Sequence, residues 1–247
     1  MTRQQWIEKC GHWKKSWPVM RPEFVANDTD GDLNLYAVLD AVNRHSTANM
    51  TLMGDAGSIS YAGPVALNAK SGQRFVFSPG QADMGWALPG AIGVALASNQ
   101  PVIAIVGDGS FMSNLQELAV VTEHQLNIKF IILNNQGYLS IKNTQQKYFE
   151  GRVHGTSDKT GLWFPNFGDI AQGFKIAYNK INTATGLESF SELFATPGPR
   201  IIDCICKAEQ EILPSQALKN GKQAGLHDMA PFLSDEELQR EMIVDIK

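Results

Sequence analysis

The chain has 247 residues, 43% hydrophobic and 19% charged, enough for a sizeable core in one large α/β domain or two small ones. A formal charge of −4 leaves no basic footprint and argues against a nucleic-acid partner, and no run of about 18 apolar residues offers a membrane span. Cys10, Cys204 and Cys206 contain no C-x-x-C pair and fit a reducing compartment better than a disulfide framework; with no apolar signal-peptide core at the N-terminus, a cytoplasmic chain is expected.

Residues 1–30 read as a lead-in segment. A short helix-like stretch carrying Trp6, Trp13 and Trp17 stops at Pro18 and Pro22, because proline ends helices. Three tryptophans so close together need a surface to pack on, either the body of the same chain or a partner subunit. Residues 31–206 have a different rhythm. Leu35, Val38, Leu39 and Val42 form a helical stripe. "MTLMG" (50–54) reads as a short buried strand ending in the turn "DAGS", and "QRFVFS" (73–78) as a second strand. "MGWALPGAIGVALAS" (84–98) is helical by length, with Pro89 tolerable only near its start. "PVIAIVG" (101–107) is a continuous apolar run, as expected of a strand buried on both faces. There follow a helix in "NLQELAVVTEHQ", a buried strand in "IKFIILN" and a helix in "YLSIKNTQQKYF". Then come a helix in "FGDIAQGF", a strand in "KIAYN", a helix in "GLESFSELFA" and a strand in "PRIIDCIC". Strands alternating with helices predict a three-layer α/β/α fold on a mainly parallel sheet. The tail, 207–247, has few strand-like runs and ends in a helix signal, with Ser234 and Glu237 spaced as a capping box.

Two turns in this series carry chemistry. "VGDGS" closes one buried strand at Asp108, and "LNNQG" closes the next at Asn134 and Asn135. The 24 residues between Gly109 and Asn134 accommodate one helix and one strand, so Asp108 and Asn135 are expected at the tips of neighbouring strands. The carboxyl end of a parallel strand is where open α/β sheets bind ligands. Glycines there let the backbone approach a bulky anion, and a helix expected to start near Met112 would aim free N–H groups at it. An aspartate and an amide oxygen are hard ligands of the kind Mg2+ takes together with phosphates. The Gly137 carbonyl is a candidate third ligand. No G-x-G-x-x-G or P-loop pattern follows any strand, which argues against a nucleotide site.

Gly-Asp-Gly followed at this distance by Asn-Asn is the signature of thiamine-diphosphate-dependent enzymes. Residues from roughly 30 to 206 resemble the C-terminal, diphosphate-binding domain of the acetolactate synthase and pyruvate decarboxylase superfamily. "GDAGSISY" (54–61) and "GQADMGWALPGAIGVALA" (80–97) share in that likeness. The resemblance implies the thiamine-diphosphate-binding fold, with Asp108, Asn135 and the Gly137 carbonyl as magnesium ligands. Gly107, Gly109 and Ser110 would line the diphosphate from one side and Gly57, Ser58 and Ile59 from another, with Tyr138 and Leu139 flanking. Met84 would prop the cofactor's two rings apart, the rival being an ordinary core methionine, and Ala82 would offer its carbonyl to the aminopyrimidine. The implied activity is decarboxylation of a pyruvate-like 2-oxo acid and transfer of the acyl-anion equivalent to a carbonyl acceptor. Alternatives are a 2-oxoacid dehydrogenase or decarboxylase subunit without carboligation, and a non-catalytic cofactor-binding subunit. In this superfamily the activating glutamate sits on a pyrimidine-binding domain, which implies a partner chain and self-association. Gln81, Gln145, Gln146 and His154 are polar candidates near the pocket without an assigned role.

Overall fold

Buried parallel strands need apolar side chains on both faces, and the strands found here have them. The computed structural model describes residues 1–24 and 33–244. The boundary expected between residues 30 and 31 lies outside the described residues. In chain order the elements are α1 (Arg3–Ser16), α2 (Leu35–His45), β1 (Thr51–Gly54), α3 (Ser58–Ala66), β2 (Phe75–Val76), α4 (Ala87–Ser98) and β3 (Val102–Gly107). Then come α5 (Asp108–Met112), α6 (Leu118–Glu123), β4 (Ile128–Asn134), α7 (Leu139–Tyr148), α8 (Phe167–Gly173), β5 (Ala177–Ile181), α9 (Phe190–Ala195) and β6 (Arg200–Ile205). A small hairpin, β7 (Leu218–Lys219) and β8 (Lys222–Gln223), and α10 (Asp235–Glu241) follow.

Six strands form one sheet in the order β2-β1-β3-β4-β6-β5, every pair parallel. Side chains alternate between its faces. Leu52, Ile103, Ile105, Ile131, Leu133 and Ile202 pack with α2, α3 and α9 on one side. Met53, Ala104, Val106, Phe130, Ile132 and Ile201 pack with α4, α6 and α8 on the other. This is the expected three-layer fold. The chain runs from β1 outward to β2, then returns to β3 on the opposite side of β1. The topological switch therefore falls between β1 and β3, where such sheets open a crevice at their carboxyl ends.

Some local expectations are corrected. "DAGS" is a turn, but Ser58–Ala66 behind it is helical, with Pro64 inside the helix. The helix after β3 starts at Asp108, not near Met112, because Gly107 is extended and the Asp108 carboxylate bonds the Gly109 N–H within the first turn. β5 lies two residues beyond the start of "KIAYN". The tail contains a hairpin whose turn, Asn220-Gly221, has both residues at positive φ, the conformation Asn-Gly favours. Ser234 caps α10 by accepting the Glu237 N–H.

The two chain ends meet. Glu241 at the end of α10 is 9% exposed and accepts the Trp13 indole N–H at 2.9 Å, with Lys9 at 3.0 Å and Arg240 at 3.2 Å. Trp13 and Lys9 hold its carboxyl down, to about 2. Trp13 thus packs on its own chain, with Trp6 edge-on to it, while Trp6 stays 43% exposed. No residue of α1 is buried, so this carboxylate is its principal anchor. Glu241→Ala is expected to speed proteolytic nicking at residues 17–22 about tenfold while leaving the main melting transition in place.

Candidate functional site

At the switch point the tip of β1 meets the start of α4 through a carboxylate that sequence reasoning passed over. Asp55 is 3% exposed. It accepts the N–H groups of Ala56 at 2.6 Å, Gly85 at 3.1 Å and Ala87 at 2.9 Å, and the nearby Ser110 hydroxyl adds to their pull on its carboxyl. Burial pushes its carboxyl up, and these donors pull it back. One side chain therefore ties β1, the residues before α4 and the first turn of α5 together. The Asn114 amide adds a bond to the Gly85 carbonyl at 3.0 Å. Gly85 has φ +86°, and a Cβ there would lie 2.7 Å from the Ser113 Cβ, so the chain lies directly on α5. This seating presents Met84, which is 40% exposed and so is not a core methionine. Ala82 precedes it at φ +54°.

The loop after β1 turns through Gly57, φ +69°, into α3. Ser58 faces the start of α7, its hydroxyl 3.5 Å from that of Ser140. Ile59 is 1% exposed and packs in the core, leaving only its backbone to face a ligand.

β3 and β4 are adjacent, with Gly107 opposite Leu133, so Asp108 and Asn135 follow neighbouring strand tips as expected. Asp108 is 1% exposed. Its carboxylate accepts Gly109 N–H at 2.7 Å and Gly137 N–H at 3.0 Å. Burial raises its pKa to about 7 against the pull of those N–H groups. The two asparagines divide their work. Asn134 donates to Asp203 at 2.9 Å, which also accepts the Tyr178 hydroxyl at 2.8 Å, and its own oxygen accepts the Gln136 N–H. That network spans β4, β6 and β5 and fixes the turn. The side-chain oxygen of Asn135, by contrast, is buried with no hydrogen-bond partner. A buried carboxylate beside an orphaned amide oxygen leaves a polar demand that the protein alone does not meet.

The remaining flank is Tyr138, whose ring meets Phe164 edge-on with centroids 5.9 Å apart and lies over Gly109. Gly137 bridges to Ser157, and Tyr138 N–H donates to the Thr156 carbonyl at 3.0 Å. Leu139 is buried in the core. His154 is exposed and held through backbone bonds to Gln145, which is a local brace. Among the described residues no cluster of three His, Cys, Asp or Glu could hold a metal, and no helix is long and apolar enough to cross a membrane.

Residues 55–204 match a family model described as "Thiamine pyrophosphate enzyme, C-terminal TPP binding domain". Similar proteins include the acetolactate synthase large subunit of Cyanidium caldarium, 30% identical over 215 residues, which are 85% of this chain and 35% of that protein. The acetolactate synthase isozyme 1 large subunit of Escherichia coli (strain K12) is 29% identical over 214 residues, 86% of this chain and 37% of that protein. Acetolactate synthase 1, chloroplastic, of Zea mays is 30% identical over 151 residues, 59% of this chain and 24% of that protein. At a 35% share, the chain spans about a third of the length of the first of these relatives.

Proposed function

Since the chain belongs to the thiamine pyrophosphate enzymes, as their C-terminal TPP-binding domain, we propose that it is the diphosphate-binding half of a 2-oxo-acid-decarboxylating, carboligating enzyme. The carrying observation is the orphaned Asn135 oxygen beside the buried Asp108 carboxylate. These residues fit a magnesium ion: two hard oxygens, completed by the Gly137 carbonyl, water and phosphate oxygens, make a shell of the type Mg2+ adopts with phosphorylated ligands. Asp108 balances the ion's charge, and the Asp203–Asn134 network holds Asn135 in place. Gly107, Gly109 and Ser110 border the diphosphate on the α5 side. Gly57, Ser58 and the Ile59 amide approach it from the start of α3. Met84, held out by the Asp55 anchor, wedges between the rings, and Ala82 offers its carbonyl to the pyrimidine. Tyr138 and Leu139 close the flank at α7. Bound thiamine diphosphate supplies the electron sink that lets a 2-oxo acid lose carbon dioxide.

The glutamate that activates the cofactor is assigned to a pyrimidine-binding domain on a partner chain, in a self-associating, cytoplasmic assembly. Titration of the chain with thiamine diphosphate and Mg2+, followed by tryptophan fluorescence or melting temperature, tests the reading. Saturable stabilisation that needs both ligands is expected; a response to nucleotides instead would end it. Asn135→Ala removes an unpaired buried oxygen. It is expected to leave the ligand-free melting temperature unchanged or slightly higher while weakening the Mg2+ response by about 10–100-fold.

A further inference from the structure

The segment before α4 is exposed at its tip and buried at its root. Gln81, Ala82, Asp83 and Met84 lie at the surface, whereas Gly85 and Ala87 are buried. Two of these residues take positive φ, Ala82 at +54° and Gly85 at +86°. A left-handed residue that carries a Cβ costs energy, and it persists where the surroundings dictate the backbone, often at a functional site. Met84 stands between the two, an apolar side chain displayed on a clamped turn.

The clamp comes from two side chains distant in sequence. One carboxylate oxygen of Asp55 accepts the Gly85 N–H as well as that of Ala56, and the other accepts the Ala87 N–H. The Asn114 amide holds the Gly85 carbonyl from the opposite side. A Cβ on Gly85 would lie 3.1 Å from the Ser110 carbonyl oxygen, so the turn is set directly against α5. A simpler reading makes Asp55 a cap. α4 has no side-chain cap of its own, and Asp55 supplies one through Ala87. Capping accounts for the bond to Ala87 and leaves the double hold on Gly85 unexplained.

Resting on the cofactor reading above, we propose that Asp55 and Asn114 are positioning residues for the ring half of the cofactor. Both act through Gly85 rather than on the ligand. By fixing that residue against α5 they set where the Met84 side chain and the Ala82 carbonyl stand relative to the diphosphate side at Ser110. The metal half should be nearly indifferent to them, because Asp108 is held by the Gly109 and Gly137 N–H groups instead. Preorganised contacts of this kind depend on the shell of bonds behind them.

Two probes separate the halves: thiamine diphosphate, and methyl diphosphate, which has the charged tail and no rings. Each is titrated calorimetrically into the full chain at saturating Mg2+, and the wild type should bind thiamine diphosphate more tightly. Asp55→Asn keeps the shape but turns an NH2 group toward a backbone N–H that the carboxylate accepted. It should weaken thiamine diphosphate about tenfold, the value of one hydrogen bond, and methyl diphosphate by no more than about twofold. Asn114→Ala leaves Asp55 and the α4 cap in place, and should shift the ratio the same way by less. Equal weakening of both probes, or of neither, by either variant would leave these side chains a purely structural role and overturn the proposal. If Asp55→Asn does not fold, the ratio in Asn114→Ala decides alone. A wild type that binds both probes equally would show that this turn adds nothing to ring binding, overturning the inference while the metal–diphosphate reading stands. If the wild type responds to neither probe, that reading fails first, and this inference with it.

Discussion

Replacing Asp108 by asparagine is expected to abolish the joint response to Mg2+ and thiamine diphosphate, weakening it by at least about 100-fold, or roughly 2.7 kcal/mol. The change is nearly isosteric. It removes the only carboxylate among the proposed ligands, and with it the charge that balances the cation. The fold should survive, because the side chain still fills the space between Gly109 and Gly137. Calorimetric titration alongside thermal melts separates these effects. Wild-type binding by Asp108→Asn would remove Asp108 from the metal shell, whereas a variant that fails to fold would give it a purely structural role.

The pH dependence follows from the same burial. In the ligand-free fold Asp108 has its pKa raised from 3.8 to about 7. Between those values the folded state keeps a proton that the unfolded chain has released, so folded stability falls as pH rises across that window and levels off above it. The expected loss from pH 5 to pH 7 is about 2 kcal/mol at roughly 1.4 kcal/mol per unit. Metal binding reverses the sign, since a ligating carboxylate must be ionised. Affinity for Mg2+ with the cofactor should therefore strengthen as pH rises toward and through about 7, with proton release on binding. In Asp108→Asn the ligand-free melting temperature should become flatter over the same range. A wild-type profile no steeper than that of the variant would show that Asp108 is already ionised at pH 5.

The main sheet and the two strand tips were legible because a strand buried on both faces writes itself as an unbroken apolar run. "VIAIVG" and "IKFIILN" became β3 and β4 nearly residue for residue. Their spacing then placed Asp108 and Asn135 on adjacent tips. The residues that were not legible act across distant segments. Asp55 looks like part of an ordinary turn, and only the folded chain brings Gly85, Ala87 and Ser110 to it. The division between Asn134 and Asn135 depends on Asp203, which lies 69 positions away in sequence. α3 was hidden because Gly63-Pro64 reads locally as a helix breaker, while burial of Ile59, Ala62 and Ala66 keeps the segment helical. The Asn220-Gly221 hairpin is different: its signal stands in the sequence, and the polar tail around it masked it.

Two glycines of the site make the second large expected effect, and they should behave differently. A Cβ on Gly137 would lie 2.1 Å from the Thr156 carbonyl oxygen. That carbonyl is backbone, fixed by the Tyr138 N–H, and cannot step aside without breaking the Gly137–Ser157 bridge. Gly137→Ala should therefore cost about 3 kcal/mol or more and remove the cofactor response, because the same shift pulls the Gly137 N–H from Asp108. A Cβ on Gly109 also meets an atom at 2.1 Å, but that atom belongs to the ring of Tyr138. A half-buried ring can swing toward solvent at the expense of its contact with Phe164, so Gly109→Ala should cost about 1–2 kcal/mol. Adding Tyr138→Ala should recover part of that loss in the double variant, whereas it should not rescue Gly137→Ala. Thermal melts of the four variants decide the matter. Equal costs for the two glycines, or no recovery on removing the ring, would show that rigid backbone and mobile side chain do not divide the site in this way.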